Sequence, residues 1–315
     1  MVNLIEAKGT QTLFDLWKQA NDVCSKSHKV SNLILSGTFP FAELNSDFVN
    51  AHKQYAEDLQ NPEKPPHLVL NHGEFFDKYK TTHNKSALDY VIEELKIKAD
   101  SHRACISLYD MSTLISSDDK SIPSFMVMQA GMSDDMSQLS LTSYFRALEV
   151  SKYLPRNIAE SCLVAEKLQS AFSFKFKELS ITIHACNAYV KENYSCHEKA
   201  EMDMLGEAEI MMQVMIAKSS RTWMKKMLNN KKDINESRII PEGINHLVQS
   251  IEMANKRPRE ATEIFYEDNL IALLKSISKK IKEHNEIVYS STYAVQAKEK
   301  YNEIKSELDK AINSL

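Results

Sequence analysis

Glycine is scarce in this chain, and the glycine-rich loops that hold phosphate in many nucleotide-binding proteins are absent. Only six glycines occur among 315 residues, and the sequence contains neither GxGxxG nor GxxxxGKS/T. Those two motifs place backbone N–H groups against phosphate in dinucleotide-binding and P-loop proteins. We therefore expect any bound phosphate to be held by side chains.

Paired cysteines are missing as well. The five cysteines are Cys24, Cys105, Cys162, Cys186 and Cys196. Their odd number and the lack of a CxxC pair argue against a disulfide framework and against a zinc knuckle. We expect reduced thiols, mostly buried, and no metal site.

Long apolar runs and a strong net charge are also absent. No apolar stretch approaches the roughly 20 residues that a helix needs to cross a bilayer, and the N-terminus shows no basic segment followed by an apolar one. The formal net charge is −4, which provides no basic field for bulk nucleic-acid binding. With 43% apolar residues, the composition indicates a globular cytoplasmic protein with a sizeable core.

Hydrophobic spacing predicts a mixed α+β domain over residues 1–195. Helical periodicity covers 87–98, and a second, long helix begins near Pro155. The buried face of that second helix is expected to carry Ile158, Cys162, Ala165, Leu168 and Phe172. Alternating apolar residues predict strands at 103–109, 121–129, 136–144 and 179–185.

Residues 196–315 are predicted to be all helical, with a break at 229–241. Near the C-terminus, apolar residues recur at 4-3-4 spacing in two segments, which a polar turn near His284 separates. The first set is Leu270, Leu274, Ile277 and Ile281, and the second is Ala297, Tyr301, Ile304 and Leu308. This pattern is typical of an antiparallel helical hairpin, predicted at 263–313. The hairpin could pack on its own chain or bind a protein partner.

Two motifs resemble the thymidylate synthase family, which also includes pyrimidine nucleotide hydroxymethylases. LSLTSYFRALEVSKYLPRNI, from Leu139 to Ile158, is similar to the family pattern LSLYQRSADxxLGxPFNI. The preceding strand has Pro123, Ser124, Phe125 and Gln129 where the family has PCHxxxQF. The resemblance is clearest over 68–190. It implies a mixed sheet with a long buried helix, to which the helical residues 196–315 add a C-terminal extension, and a divergent member whose catalytic cysteine is replaced by Ser124.

Ser124 occupies the nucleophile position that the resemblance implies. The family adds a thiolate to the weakly electrophilic pyrimidine ring, and a serine hydroxyl needs an adjacent general base to act similarly. Phe125 stands where the family has histidine. Ser124 could therefore be an inert strand residue, a hydrogen-bonding group for a ligand, or a nucleophile in altered chemistry. Cys186 could substitute as nucleophile, or fill core space.

The nucleotide contacts follow from the same resemblance. Arg146 corresponds to a phosphate-binding arginine, whose guanidinium suits phosphate by charge and geometry, and Ala147 removes a neighbouring serine donor. Asn157 corresponds to the asparagine that binds the pyrimidine edge and favours uracil over cytosine, although it could instead cap a helix. Glu149 could order water near the base or be an exposed acid.

Two further pairs complete the implied site. Asn187 and Tyr189 correspond to a His-x-Tyr pair that contacts the sugar, with the histidine replaced. His102 and Arg103 correspond to two arginines that reach the phosphate of the partner subunit. Arg103 opens an apolar strand without a nearby acid, and burying its charge unpaired would be costly. A phosphate bound to the partner subunit would neutralise that charge.

The resemblance therefore implies a homodimeric pseudoenzyme that binds a uridine-type pyrimidine nucleotide as a nucleotide-binding or regulatory module. We expect no methyl transfer and no cofactor. Folate is disfavoured because the chain continues in helices where the family ends in a short apolar tail that closes over folate. Two alternatives stay open. One is a divergent nucleotide-modifying enzyme, such as a hydroxymethylase-like one-carbon transferase, and the other is a structural interaction protein with a vestigial pocket.

Overall fold

The described part of the chain divides into two compact units. The computed structural model describes residues 3–7, 12–27, 29–76, 84–108, 115, 122–191, 198–216, 219–234, 239–256, 266–288 and 294–315. The first unit comprises Met1–Pro65 and Leu70–Glu192, and the second comprises Pro66–Val69 and Asn193–Leu315. Within the described ranges, no helix is long and apolar enough to cross a membrane.

A mixed sheet forms the centre of the first unit. Its strands are β1 (Asn3–Glu6), β2 (Lys29–Pro40), β3 (Cys105–Ser107), β4 (Phe125–Met132), β5 (Gln138–Phe145), β6 (Leu148–Glu149) and β7 (Glu178–Tyr189). Their spatial order is β1-β2-β7-β5-β4-β3, and the short β6 also pairs with β7. The long strands β2 and β7 run antiparallel, whereas β5 and β7 run parallel. Phe145, the last residue of β5, therefore lies beside Ala185 of β7, and Arg146 follows it at that end of the sheet.

Helices cover one face of this sheet. They are α1 (Leu13–Ser27), α2 (Asp47–Gln60), α3 (Gly73–Phe76), α4 (Ala87–Ile97) and α5 (Tyr153–Ser170). Every second residue of β5 is buried on the helix side, as Leu141 is, while Thr142 on the other side is only half-buried. We call this other side, which carries Thr142, Tyr144, Thr182 and His184, the open face.

The long helix α5 confirms the predicted buried helix and is buried more completely than its apolar spacing indicated. Of its 18 residues, 14 are buried, and these include the predicted Ile158, Cys162, Ala165 and Leu168. The helix ends at Ser170, before the predicted Phe172. Asn157 and Glu160 are also buried. Because buried polar groups need hydrogen-bond partners, the elements packed around α5 must supply them.

The α+β class with a mixed sheet is confirmed, and some predicted segments differ in extent. Helix α4 begins at Ala87, where Ser86 and Asp89 form a reciprocal capping box. The strand predicted at 103–109 is limited to Cys105–Ser107 among the described residues, and position 121 of the next predicted strand lies outside them. The hydrophobic spacing predicts no strand before residue 68. The long β2 lies there, and its burial alternates only along part of its length.

Helices also form the second unit, in agreement with the predicted helical C-terminal region. They are α6 (Glu207–Ile216), α7 (Ser220–Asp233), α8 (Glu242–Asn255), α9 (Asp268–Ile287) and α10 (Ala294–Ser314). The predicted break at 229–241 is narrower than expected, because α7 continues to Asp233 and α8 begins at Glu242.

Helices α9 and α10 pack together as the predicted hairpin does, although 263–265 and 289–293 lie outside the described residues. All four predicted apolar residues on α9 are buried, as are Ala297, Ile304 and Leu308 on α10. Lys280 pairs with Glu303, and Lys300 pairs with Glu283, which indicates an antiparallel arrangement. This apolar seam belongs to the unit's own core.

The turn predicted near His284 is wrong. Helix α9 continues through this position to Ile287, and His284 is buried. The side chain of Asn285 donates to the carbonyl of Ile239 at 2.7 Å and accepts from its N–H at 3.0 Å. Two adjacent polar residues are typical of a turn. The sequence does not show that the side chain of Asn285 forms hydrogen bonds with the backbone of Ile239.

A fully buried ion pair joins three segments of the second unit. Lys231 Nζ lies 2.7 Å from Asp203 Oδ2, and the two side chains are 1% and 0% exposed. The other carboxylate oxygen of Asp203 accepts from the N–H of Gly243 at 2.9 Å. Burial raises the pKa of Asp203, while Lys231 acts in the opposite direction. The pair therefore depends on both partners being present.

We predict that Lys231→Met lowers the free energy of unfolding by about 3–5 kcal/mol, because it leaves the Asp203 carboxylate buried without its cation. Urea denaturation followed by circular dichroism measures this change. The matched control is Lys226→Met on the same helix, which breaks the exposed Lys226–Glu201 pair and is expected to cost about 0–1 kcal/mol. Equal losses in the two variants would contradict the prediction.

Candidate functional site

Ser124 lies at the start of β4, and the residue after it belongs to the core. Phe125 is 1% exposed, stacks on Phe145 with ring centroids 4.9 Å apart, and lies edge-on to His72 at 5.3 Å. Ser124 is half-buried, and its side chain forms no hydrogen bond with a described residue. The residue after Ser124 is thus an aromatic core residue, whose side chain cannot act as an acid or a base.

Arg146 follows β5 and is tied to the segment that precedes β4. Its backbone N–H donates to the carbonyl of Ser124 at 2.9 Å. Its guanidinium is solvent-exposed and donates to the carbonyls of Pro123 at 3.3 Å and Ile122 at 3.1 Å. A guanidinium has five N–H donors, so these two bonds orient the group and leave further donors for an anion.

Glu149 is a buried residue that organises the start of α5, and the expectation of an exposed acid is wrong. It is 3% exposed. Its carboxylate accepts from the backbone N–H groups of Ser151, Lys152 and Tyr153 at 3.1, 2.8 and 3.3 Å, and from Lys191 N–H at 3.3 Å. A negative charge is favourable at a helix N-terminus. Glu149 therefore links the beginning of α5 to the chain that follows β7.

Asn157 does not cap α5, because the helix begins four residues earlier at Tyr153. The side chain is buried, and its Nδ2 donates to Glu160 Oε2 at 3.4 Å. Glu160 in turn contacts His72, whose Nδ1 lies 2.7 and 2.9 Å from the two carboxylate oxygens. The structure thus places Asn157 in a buried polar cluster with His72 and Glu160.

The sequence motifs do not predict His72 and Glu160 as site residues. Neither belongs to the quoted motifs, and 88 positions separate them, so no local spacing connects them. The apolar spacing gave no signal either, because Glu160 lies two residues from both Ile158 and Cys162, on the side of the helix opposite the predicted buried face. Such an acid requires a partner when the helix is covered on all sides.

Close backbone packing fixes the position of His72. Its N–H donates to the carbonyl of Leu59 at 2.7 Å, at the end of α2. Gly73 follows, and a Cβ at that position would lie 2.1 Å from the carbonyl oxygen of Asn61. Only glycine allows this approach without moving backbone atoms. The loop before α3 is therefore locked against α2, with the imidazole directed at Glu160.

A family model described as thymidylate synthase matches residues 33–275. The chain belongs to the thymidylate synthase family. The match extends the resemblance seen at 68–190 in both directions, and it continues through α8 into α9. The matched range includes α6, α7 and α8 of the helical C-terminal region.

Comparison with solved structures finds, among others, the thermostable thymidylate synthase A from Bacillus subtilis. It has 14% sequence identity and a TM-score of 0.36, and the match covers 51% of this chain and 66% of the other. The chain thus spans slightly less than two thirds of that protein's length. A comparison with curated protein sequences finds no match.

In this thymidylate synthase family member, Asn187 and Tyr189 lie near the end of β7, beside β6. Both are half-buried, and Ala188 between them is buried in the core. Since successive side chains alternate along a strand, Asn187 and Tyr189 project from the side opposite Ala188. Their contact with a sugar stays a prediction.

Arg103 and His102 lie in an exposed turn before β3. Solvent surrounds the side chain of Arg103, so its charge is not buried and does not need a bound phosphate to neutralise it. Ala104 accepts a hydrogen bond from Ala130 near the end of β4, whereas Arg146 contacts the residues before its beginning. About six strand residues, or roughly 20 Å, separate these positions. One phosphate could bind both arginines only if they came from different subunits.

Of the four described cysteines, two are buried and two are exposed. Cys24 and Cys162 are buried, while Cys105 and Cys186 are exposed; Cys196 lies outside the described residues. Burial raises the pKa of Cys24 to about 11, with Glu149 adding to the effect. The expectation of mostly buried thiols is therefore wrong for Cys105 and Cys186, and Cys186 does not fill core space. Within the described ranges, no cluster of three His, Cys, Asp or Glu could hold a metal ion.

Proposed function

We propose that this thymidylate synthase family member binds a uridine-type nucleoside monophosphate without transferring a methyl group, and acts as a nucleotide-binding or regulatory module. The observation that supports this most directly is that the chain has the family's nucleotide-binding residue types but lacks its nucleophile. Arg146 and Asn157 keep the family's residue types, whereas Ser124 and Phe125 replace a cysteine and a histidine.

The phosphate would bind Arg146. Contacts with the carbonyls of Ile122 and Pro123 hold its guanidinium at the exit of β5, so less conformational entropy is lost when an anion binds. The base would contact Asn157, whose amide can accept from one ring N–H and donate to a ring carbonyl. Uracil presents both groups side by side.

The proposed lack of methyl transfer rests on Ser124. A serine hydroxyl is activated by a base within hydrogen-bond reach, and Ser124 has no side-chain hydrogen bond among the described residues. Phe125 packs in the core and cannot serve as that base. The protein would therefore bind the nucleotide without forming a covalent bond to the pyrimidine ring.

We predict that UMP and dUMP raise the melting temperature, with a stabilisation of about 2.7 kcal/mol at a hundredfold excess over Kd. Arg146→Ala should weaken binding at least about tenfold, because it removes charged hydrogen bonds to the phosphate. Thermal shift and isothermal titration calorimetry measure both effects.

The matched control is Lys177→Ala. This exposed cation precedes β7 at the opposite end of the sheet from Arg146, and its removal should leave Kd unchanged. Circular dichroism verifies folding of both variants. The absence of any shift with UMP or dUMP would sink the proposed function.

We further predict no turnover of dUMP with methylene-tetrahydrofolate. The expected result is an absorbance trace for dihydrofolate that matches the buffer blank, since Ser124 cannot form the ring adduct at a useful rate. Ser124→Cys tests whether the nucleophile alone is missing. Dihydrofolate production by the unmodified protein would instead support the alternative of a divergent one-carbon transferase.

We also propose a homodimer in which the open faces of two sheets meet and Arg103 of one subunit shares a phosphate with Arg146 of the other. The half-buried open face and the distance between these arginines within a subunit support this arrangement. The family resemblance implies the same arrangement, in which the arginine that corresponds to Arg103 crosses a two-fold axis to the phosphate of the other subunit.

Mixing the Arg103→Ala and Arg146→Ala proteins tests the shared site. Each variant alone should lose binding, whereas a heterodimer has one intact site. A fully exchanged equal mixture should recover about a quarter of all sites by symmetry. Sedimentation equilibrium gives the oligomeric state. A monomer at micromolar concentration, or a mixture without recovered binding, would contradict the model.

A further inference from the structure

His72 and Glu160 form a buried hydrogen-bonded pair that the proposed nucleotide contacts do not explain. Their side chains are 8% and 2% exposed. The stability of the fold does not by itself account for such a pair, because the desolvation of a buried carboxylate offsets much of what its hydrogen bonds contribute.

Glu160 is held from three directions. Its carboxylate faces His72 Nδ1, and since an ionised carboxylate only accepts hydrogen bonds, Nδ1 carries the proton. Its backbone carbonyl accepts from Gln60 Nε2 at 3.0 Å, and Gln60 Oε1 accepts from Lys167 Nζ at 2.9 Å. Gly73 locks the loop that carries His72 against α2. The carboxylate of Glu160 therefore has little freedom to turn.

The oxygen Oε2 of Glu160 contacts both His72 Nδ1 at 2.9 Å and Asn157 Nδ2 at 3.4 Å. Asn157 and Glu160 are three residues apart on α5 and share one side of the helix. If the amide of Asn157 turned over, its Oδ1 would face the carboxylate oxygen, and two acceptors would repel each other. Glu160 consequently selects the orientation in which Oδ1 points away from it.

We propose that His72 and Glu160 are positioning residues that hold Asn157 in the orientation that selects uracil over cytosine. In this orientation Oδ1 accepts a hydrogen bond from the N3–H of uracil, and the second N–H of Nδ2 is available to the O4 carbonyl. Cytosine has an unprotonated N3 and an amino group at C4, so both contacts become unfavourable. This inference rests on the proposed function of uridine nucleotide binding.

Glu160→Gln tests the inference because it should reverse the orientation of Asn157. His72 Nδ1–H continues to donate to the amide oxygen of the new side chain, so the amide nitrogen faces Asn157. Oδ1 of Asn157 then turns toward that nitrogen and presents Nδ2 to the ligand. We expect UMP binding to weaken about tenfold, as for the loss of a buried hydrogen bond, and CMP binding to strengthen. General damage to the site would weaken both.

Two controls separate this effect from a simple loss of charge. Glu166→Gln removes another acid on α5, which pairs with Lys53 at 3.1 Å at a partly exposed position, and it should leave the CMP-to-UMP ratio of Kd values unchanged. In an Asn157→Ala background, Glu160→Gln should have no further effect on that ratio, because Glu160 acts only through Asn157.

His72 provides a second, independent pair of variants. His72→Asn keeps a nitrogen donor near the position of Nδ1 and should preserve discrimination. His72→Leu removes the donor and should reduce discrimination about tenfold. If Glu160→Gln does not give a folded protein by circular dichroism, this pair decides the question.

The outcomes distinguish the positioning role from nucleotide binding itself. If the unmodified protein binds neither UMP nor CMP by calorimetry, the proposed function and the positioning role both fail. If it prefers UMP, and the folded Glu160→Gln and His72→Leu proteins keep the same ratio, the positioning role is overturned and nucleotide binding stands.

Discussion

The burial of α5 between α2 and the sheet is the constraint that organises the first unit. A helix covered on nearly all sides must find partners inside the protein for each of its polar groups, because unpaired buried charges are costly. Glu149 satisfies the N–H groups at the start of the helix. Glu160 meets the same requirement farther along by pairing with His72. The chain after β7 and the loop before α3 take their positions from these two carboxylates.

The same constraint shapes the chemistry of the site. Phe125 replaces a histidine of the family pattern and becomes a core residue, so Ser124 has no neighbouring base. The histidine that does approach this region comes from the loop before α3 and faces a carboxylate rather than the serine. This arrangement supports the proposal that the site binds a nucleotide through Asn157 and Arg146 without nucleophilic addition.

The second unit follows a similar rule with different residues. A fully buried Lys231–Asp203 pair joins α7 to the segment before α6 and to the start of α8. The seam of α9 and α10 supplies much of the apolar core around it. The family match covers this helical unit as far as residue 275, within α9.

Sequence alone determined the features that depend on neighbouring residues. Helical periodicity located α4, α5 and the two helices of the C-terminal hairpin, and a continuous motif identified the family and the place of Arg146 and Asn157. Packing decided which charged residues are buried and which contact one another, because the sequence does not show whether a carboxylate or a guanidinium is solvated or buried. Only the tertiary structure shows that Glu149 is buried and that Arg103 is exposed. It also shows that His72 contacts Glu160, 88 positions away in the chain.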